Sequence, residues 1–186
     1  MGKVASAIAA MILCVSATGA DPRATYPHDE KAIVLVKCYK PGGVAAGSAF
    51  KVTRNAYITA AHVTNGGDCF IGFDRVTVTH TDDKHDYATF IGPESDAVLD
   101  TDCGGFTAGE VYVARGYPGG IGYNIWTPWL AVSNVQDGFQ SFLGEGIPGM
   151  SGGAVLNESG AAVGVINKRW PTRSMPLRST SFCGQG

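Results

Sequence analysis

Glycine and proline are scattered along the whole chain, and this pattern constrains the fold more than any other feature. The 186 residues include 26 glycines and nine prolines. Turn signals such as Pro41-Gly42-Gly43 and Asn65-Gly66-Gly67 separate short segments rich in β-branched and aromatic residues. No amphipathic pattern of ten or more residues follows the first twenty positions. The sequence therefore predicts many short strands joined by tight turns, which is an all-β fold.

The predicted strands fall into two groups. The first group is Ala32–Tyr39, Ser48–Thr53, Ala56–Ala60, Arg75–His80, Tyr87–Gly92 and Ala97–Asp100. The second is Glu110–Gly116, Tyr123–Val135, Phe139–Leu143, Gly153–Asn157, Ala161–Asn167 and a segment near Met175–Phe182. Between the groups, Cys103-Gly104-Gly105 is expected to be the connector. We predict two six-stranded antiparallel Greek-key β-barrels, covering residues 21–103 and 104–186.

The first twenty residues have the pattern of a signal peptide. Lys3 is followed by the apolar stretch Val4–Ala17, and Thr18-Gly19-Ala20 supplies small residues before a cleavage point. A permanent membrane anchor is the alternative, and a lipoprotein signal at Cys14 is disfavoured by the bulky residue before it. We expect an exported protein, secreted or periplasmic, with no stable membrane insertion after cleavage.

The mature chain is predicted to contain disulfide bonds. Four cysteines follow the signal segment, and four cysteines allow three pairings. We expect Cys38 to pair with Cys69 in strands flanking the His62 segment, and Cys103 in the connector to pair with Cys183 at the tail. No Cys-x-x-Cys pair and no histidine at ligand spacing accompanies them, so neither zinc nor any other cofactor is expected. A net charge of −2 without a Lys/Arg run gives no indication of nucleic-acid binding.

Two motifs carry candidate chemistry. The strand-like run Tyr57-Ile58-Thr59-Ala60-Ala61-His62, which follows Gly47-Ser48-Ala49-Phe50, ends in an imidazole beside small residues. In Gly149-Met150-Ser151-Gly152-Gly153, a serine flanked by glycines can expose its hydroxyl on a tight turn. Acyl transfer needs such a nucleophile and nearby N–H donors for the developing oxyanion. Taken singly, a histidine is more often an ordinary surface or core residue, and the glycine run is as easily a hairpin.

Together the two motifs resemble the trypsin/chymotrypsin family of serine peptidases, nearest the bacterial Deg-type branch. The resemblance extends from Ala32 to Asn167. It implies a secreted serine endopeptidase acting on proteins or peptides, with the active site in the cleft between the barrels. Because the sequence ends soon after this stretch, no PDZ domain is expected. It also implies that His62 is the general base, that Ser151 is the nucleophile, and that the backbone N–H groups of Gly149 and Ser151 form the oxyanion hole.

Two aspartates can complete a triad. Asp86 begins a run similar to the one that follows the family's aspartate. In this fold, however, two strands separate the base from the aspartate, and the aspartate precedes the sixth strand. The 34 residues from His62 to Asp96 hold both Arg75–His80 and Tyr87–Gly92, whereas the 24 residues to Asp86 hold one clear strand. The strand count therefore predicts Asp96, and Asp86 remains the alternative.

The resemblance also indicates substrate-binding positions. Glu145 lies six residues before the nucleophile, at the base of the family's primary specificity pocket, where a carboxylate attracts Lys or Arg side chains. Glu145 could equally lie in an exposed turn or pair with Lys168 or Arg169. Ile166 and Asn167 are predicted to line the substrate site.

Met150 stands where trypsin-type zymogens carry an aspartate, so activation through a new N-terminal ion pair is not expected. Two other function classes remain open. One is a catalytically silent barrel pair that serves as a binding or adhesion module. The other is a structural exported β protein in which the glycine runs are only turns, and in that case His62 and Ser151 do not converge.

Overall fold

Two antiparallel β-sheets, one from each half of the chain, make up the protein. The computed structural model describes residues 30–136, 138–167 and 177–180, with side chains described for 30–132 and 138–167. The predicted signal peptide lies outside these residues and stays a prediction. Within the described part of the chain, no helix is long and apolar enough to cross a membrane.

The first sheet has seven strands in the order β5-β4-β1-β2-β3-β7-β6. Its strands are β1 (Ile33–Lys40), β2 (Gly43–Lys51), β3 (Ala56–Thr59), β4 (Asp68–Ile71), β5 (Asp74–Arg75), β6 (Thr77–Asp82) and β7 (Tyr87–Ile91). One short helix, α1 (Ala61–Thr64), connects β3 to β4. The turn Pro41-Gly42-Gly43 separates β1 from β2, and Asn65-Gly66-Gly67 separates α1 from β4. Gly42 and Gly66 both have positive φ, a backbone region that glycine enters at no steric cost.

The second sheet closes into a six-stranded barrel in the order β10-β13-β12-β11-β8-β9. Its strands are β8 (Val111–Gly116), β9 (Ile125–Gln136), β10 (Phe139–Gly144), β11 (Ala154–Leu156), β12 (Ala162–Ile166) and β13 (Leu177–Thr180). Short 3-10 turns precede β1 at Glu30–Ala32 and follow β8 at Pro118–Gly120.

The predicted all-β class and the arrangement of one sheet per half are confirmed, and the second barrel has the six strands expected. The first half differs in two places. A β4–β5 hairpin lies between α1 and β6, although the six strands predicted for this half do not include β4. The predicted strand Ala97–Asp100 is instead extended chain, held at Leu99 by a backbone hydrogen bond to Lys51. The domain boundaries themselves stay a prediction.

The hydrophobic core has two parts. One cluster contains Phe50 and Phe90 of the first sheet together with Val113, Leu156 and Val165 of the second, so it joins the two halves. The other, which includes Tyr112, Trp129, Phe142, Met150 and Val163, fills the second barrel. Full burial of one such side chain is worth about 1.5–3 kcal/mol. The cluster shared by both halves therefore sets the position of one sheet relative to the other, including the loops between their strands.

A disulfide bond joins Cys38 of β1 to Cys69 of β4, as predicted, with 4.0 Å between the Cα atoms. The two cysteines are direct partners in the β1–β4 ladder, so the bond holds the short strand β4 in register. Cys103 is also disulfide-bonded. Its predicted partner, Cys183, lies outside the described residues, so that pairing stays a prediction.

Candidate active site

His62 lies in α1, immediately after β3, and its ring faces an aspartate. The side chains of the two preceding alanines are small and buried, which lets the helix turn directly off the strand. His62 Nδ1 lies 2.9 Å and 2.8 Å from the two carboxylate oxygens of Asp86. The His62 backbone N–H also donates to Asp86 Oδ1, at 3.0 Å. A carboxylate on Nδ1 favours the tautomer that carries its proton there, which leaves the Nε2 lone pair available.

Asp86 occupies the turn between β6 and β7 and has a left-handed backbone conformation, with φ of 53°. This conformation is uncommon for residues other than glycine, although aspartate tolerates it better than most. The turn is closed by Asp82, whose carboxylate accepts the His85 backbone N–H at 3.0 Å and contacts His85 Nδ1 at 2.7 Å. These hydrogen bonds lower the pKa of Asp82. The Asp82–His85 pair thus stabilises the backbone that presents Asp86.

Asn167, at the end of β12, contacts Asp86 from the second barrel. Its side-chain amide donates to the Asp86 backbone carbonyl at 2.9 Å and lies 3.4 Å from Asp86 Oδ2. Asn167 is buried. The sequence predicted a position in the substrate site, but the side chain lies against the aspartate. Asp86 is therefore held by groups from both halves of the molecule.

The prediction that Asp96 orients His62 was wrong. The Asp96 side chain is 90% exposed and lies 3.7 Å from the Arg54 guanidinium. The error came from the strand count, because the β4–β5 hairpin already supplies the strand thought to be missing between His62 and Asp86. The strand that follows Asp86 is β7, which was predicted at almost its true limits. The disulfide partner Cys69 was the available signal for β4.

Ser151 lies in a tight turn between β10 and β11. The Met150 N–H donates to the Ile147 carbonyl at 3.1 Å, and the Gly153 N–H donates to the Met150 carbonyl at 2.9 Å. Gly152 has φ of +85°, and a Cβ there would collide with the Ser48 carbonyl and the Thr59 hydroxyl. Only glycine fits this position, so the sequence around the serine is dictated by how closely the two halves approach.

The segments carrying Ser151 and His62 are in direct contact. The Ser48 N–H of β2 donates to the Ser151 carbonyl at 2.7 Å. Gly152 packs against Thr59 and Ala60, the residues that lead into α1. The two motifs, one in each half of the sequence, therefore meet at the interface between the sheets.

The remaining predicted site residues have different surroundings. Glu145 is exposed, and its backbone carbonyl accepts a hydrogen bond of 2.9 Å from the Trp129 indole N–H. Lys168 and Arg169, its possible partners, lie outside the described residues. Ile166 lies in β12 and its side chain is buried, so it does not face an open cleft. Its backbone is hydrogen-bonded to Gly152 and Gly153.

Met150 packs inside the second barrel with Trp129 and Phe142. The residue before Ser151 is thus anchored by apolar packing, where the zymogen mechanism would need an ion pair. Among the described residues, no group of three or more His, Cys, Asp or Glu side chains is placed to hold a metal ion.

Comparison with known proteins gives matches among solved structures. No protein-family profile matches the sequence, and no curated protein does either. The Rv3671c protease from M. tuberculosis, in its active form, superposes with a TM-score of 0.70 at 21% identity, over 83% of this chain and 77% of that one. The serine endoprotease from Yersinia pestis gives a TM-score of 0.72 at 18% identity, over 86% of this chain and 61% of that one.

The HtrA-type protease AlgW, solved with a tripeptide, gives a TM-score of 0.71 at 19% identity. The match covers 87% of this chain and 58% of AlgW, so the chain spans less than two thirds of AlgW and of the Yersinia protein. These likenesses confirm the predicted resemblance at the level of the fold. The described chain has the trypsin/chymotrypsin fold, in the form that HtrA-type serine proteases share.

Proposed function

We propose that this protein is an exported serine endopeptidase in which Ser151 is the nucleophile, His62 the general base and Asp86 the residue that orients it. The observation that carries the proposal is the double contact of the Asp86 carboxylate, with His62 Nδ1 and with the His62 backbone N–H. A carboxylate placed this way sets both the position and the tautomer of the ring. A structural histidine would need neither constraint.

The chemistry follows from this arrangement. His62 Nε2 takes the Ser151 hydroxyl proton while Oγ bonds to the scissile carbonyl carbon, and the carbonyl π electrons move onto oxygen. The Gly149 and Ser151 N–H groups stabilise that oxyanion. His62 then gives its Nε2 proton to the amine nitrogen as the C–N bond breaks. Water attacks the acyl-enzyme by the same route and regenerates Ser151. Asp86 stabilises the imidazolium in both halves of the cycle.

Protein and peptide substrates are supported by the fold, since the similar solved structures are proteases and one was solved with a tripeptide. Export is supported by the Cys38–Cys69 disulfide, because such bonds persist mainly in oxidising compartments. A preference for Lys or Arg before the scissile bond rests on Glu145, because the resemblance puts this residue in the primary specificity pocket and its side chain is exposed.

A fluorophosphonate probe tests the proposal directly. The mature chain should be labelled at Ser151, as located by peptide mass mapping, because only an activated serine reacts readily. Ser151→Ala should abolish labelling, and Ser159→Ala, at an exposed serine eight residues away, should leave it unchanged. A folded wild-type chain that takes up no probe would instead support the catalytically silent binding module.

A further inference from the structure

We infer that Ser48 of β2 is a positioning residue for the oxyanion hole, acting through the backbone of Gly149. This inference deepens the proposed peptidase function and rests on it. Ser48 is fully buried, and all of its polar groups are used. Its carbonyl accepts from the Thr59 hydroxyl at 2.7 Å, and its N–H donates to Ser151 at 2.7 Å. Its hydroxyl lies between Gly149 and Tyr117.

The direction of the two hydrogen bonds of the Ser48 hydroxyl follows from the chemistry of their partners, Tyr117 and Gly149. The Tyr117 backbone N–H, 2.8 Å from Ser48 Oγ, can only donate, so it occupies a lone pair of that oxygen. The Gly149 carbonyl, also 2.8 Å away, can only accept. The single hydroxyl proton of Ser48 must therefore point at Gly149. An alanine at this position would leave one partly buried donor, the Tyr117 N–H, and one partly buried acceptor, the Gly149 carbonyl, without this partner.

The peptide bond on the other side of Gly149 is fixed as well. The Pro148 carbonyl accepts the Gly119 N–H at 2.6 Å. Because a trans peptide is planar, its N–H points opposite to its carbonyl. The Gly149 N–H, which belongs to the same peptide, is therefore directed away from Gly119. Carbonyl bonds on both sides of Gly149 thus set the direction of the N–H that is proposed to bind the oxyanion.

These restraints are needed because the backbone of Gly149 is conformationally flexible on its own. Its φ of +95° is a conformation that glycine enters and leaves freely. A Cβ there would collide with the backbone of Tyr117, Gly119 and Gly120, so the site cannot use a stiffer residue. Ser48 supplies from the first sheet the rigidity that this glycine lacks. Oxyanion donors act through preorganisation, so a loosened peptide should weaken transition-state binding.

The test compares Ser48→Ala with the wild type in steady-state cleavage of a peptide substrate. Removal of an oxyanion donor costs about 10²–10³ in kcat, and a donor that is kept but loosened should cost about 10–100-fold. KM should change less than about twofold, since ground-state binding does not use the oxyanion hole. The affinity for a peptide aldehyde should fall in parallel with kcat/KM, and the shape of the pH–rate profile should stay unchanged because His62 and Asp86 are untouched.

Ser141→Ala is the matched control. Ser141 is also buried in a strand, but it lies in β10, which pairs with β9 and β13. It should keep the wild-type kcat. Should Ser48→Ala fail to fold, Ser48→Cys retains a weak donor of similar size, and its kcat should lie between wild type and a tenth of it.

The outcomes separate the inference from the function on which it rests. Cleavage by the wild type, together with a Ser48 variant as active as the Ser141 control, would overturn the positioning role alone. A loss that appears in KM rather than in kcat would overturn it too. A wild-type chain that is folded but inert towards fluorophosphonate would overturn the peptidase proposal, and the inference would fall with it.

Discussion

The two halves of the molecule build their parts of the site by different means. In the first sheet, His62 and Asp86 lie in connections between strands and are placed by side-chain hydrogen bonds. In the second barrel, Ser151 lies in a turn placed by backbone packing around Gly149 and Gly152. In the proposed mechanism, the first half thus supplies the polar side chains that transfer the proton. The second half supplies the nucleophile on a closely packed turn.

The difference indicates which kinds of change each half tolerates. The hydrogen-bonded side chains of the first half can lose a charge without a change of shape. Substitutions there should therefore lower kcat while the protein stays folded. A glycine-packed turn has no room for a Cβ, so damage there should be steric, with stability and labelling lost together. The predictions below test this contrast from the largest expected effect to the smallest.

Asp86→Asn should cause the largest loss of activity without unfolding the protein. Replacing the orienting aspartate of such a triad by asparagine lowers kcat by about 10⁴, because the amide favours the wrong tautomer and cannot stabilise the imidazolium. Part of the loss should be recovered at high pH, where hydroxide can act as the base. Measurements of kcat from pH 6 to 10, with melting curves for the fold, check this.

Asp96→Asn is the control for that experiment, since its exposed side chain contacts only Arg54 among the ion pairs of the described residues. Its kcat should stay within about twofold of the wild type. A nearly normal Asp86 variant beside an inert Asp96 variant would contradict the site as described.

Gly152→Ala should be the most damaging change in the second half. Its φ of +85° strains any added side chain, and a Cβ would collide with Ser48 and Thr59 and push the two sheets apart beside Ser151. We expect a loss of about 3–5 kcal/mol in the free energy of unfolding, together with loss of fluorophosphonate labelling. Urea titration and gel-based labelling measure the two effects.

Gly42→Ala is matched in backbone conformation, with φ of +93°, but nothing lies near its added Cβ. It should cost only the left-handed penalty of about 1–2 kcal/mol and keep full labelling. If Gly42→Ala and Gly152→Ala lose equal amounts of stability and labelling, the left-handed backbone conformation, and not contact between the sheets, explains the damage.

Asn167→Ala tests a side chain through which the second barrel holds Asp86 of the first half. It removes the amide donor to the Asp86 carbonyl, so Asp86 should be less firmly placed and kcat should fall about tenfold. KM should hardly change if the side chain faces Asp86 and not the substrate. A rise in KM at constant kcat would restore the substrate-binding role predicted from the sequence.

Asp82→Asn should have the smallest effect, and its signature is the pH dependence of stability. The hydrogen bonds from His85 lower the pKa of the Asp82 carboxyl. A carboxylate with a lowered pKa stabilises the folded state fully above its unfolded pKa, about 3.9, and loses that contribution as the pH falls through the folded value. The variant should therefore melt a few degrees below the wild type at pH 7. This difference in melting temperature should become smaller below about pH 4.

Asp83→Asn, at the exposed neighbour that accepts from the Asn65 amide, is the control and should show no such narrowing. A melting difference for Asp82→Asn that is the same at pH 7 and pH 3 would mean that the charge of Asp82 does not stabilise the turn.

Local sequence determined much of this protein. The alternation of turn residues with β-branched and aromatic segments predicted the strands of the second barrel to within a few residues, because β8, β11 and β12 are distinct apolar runs. The runs around His62 and Ser151 identified the two halves of the candidate site, since the close packing at Gly152 permits no other residue. The flanking strands also indicated the Cys38–Cys69 bond.

Tertiary structure decided which aspartate meets His62 and how the site is braced. Strand β4 is only Asp68–Ile71, and its partner β1 lies some thirty positions earlier, so apart from Cys69 its four residues carry no periodic pattern that adds it to the strand count. Without it, the count favoured Asp96. The contacts of Asn167 with Asp86 and of Ser48 with Gly149 join residues 81 and 101 positions apart. Such pairings depend on how two sheets pack, and sequence patterns within either sheet do not carry that information.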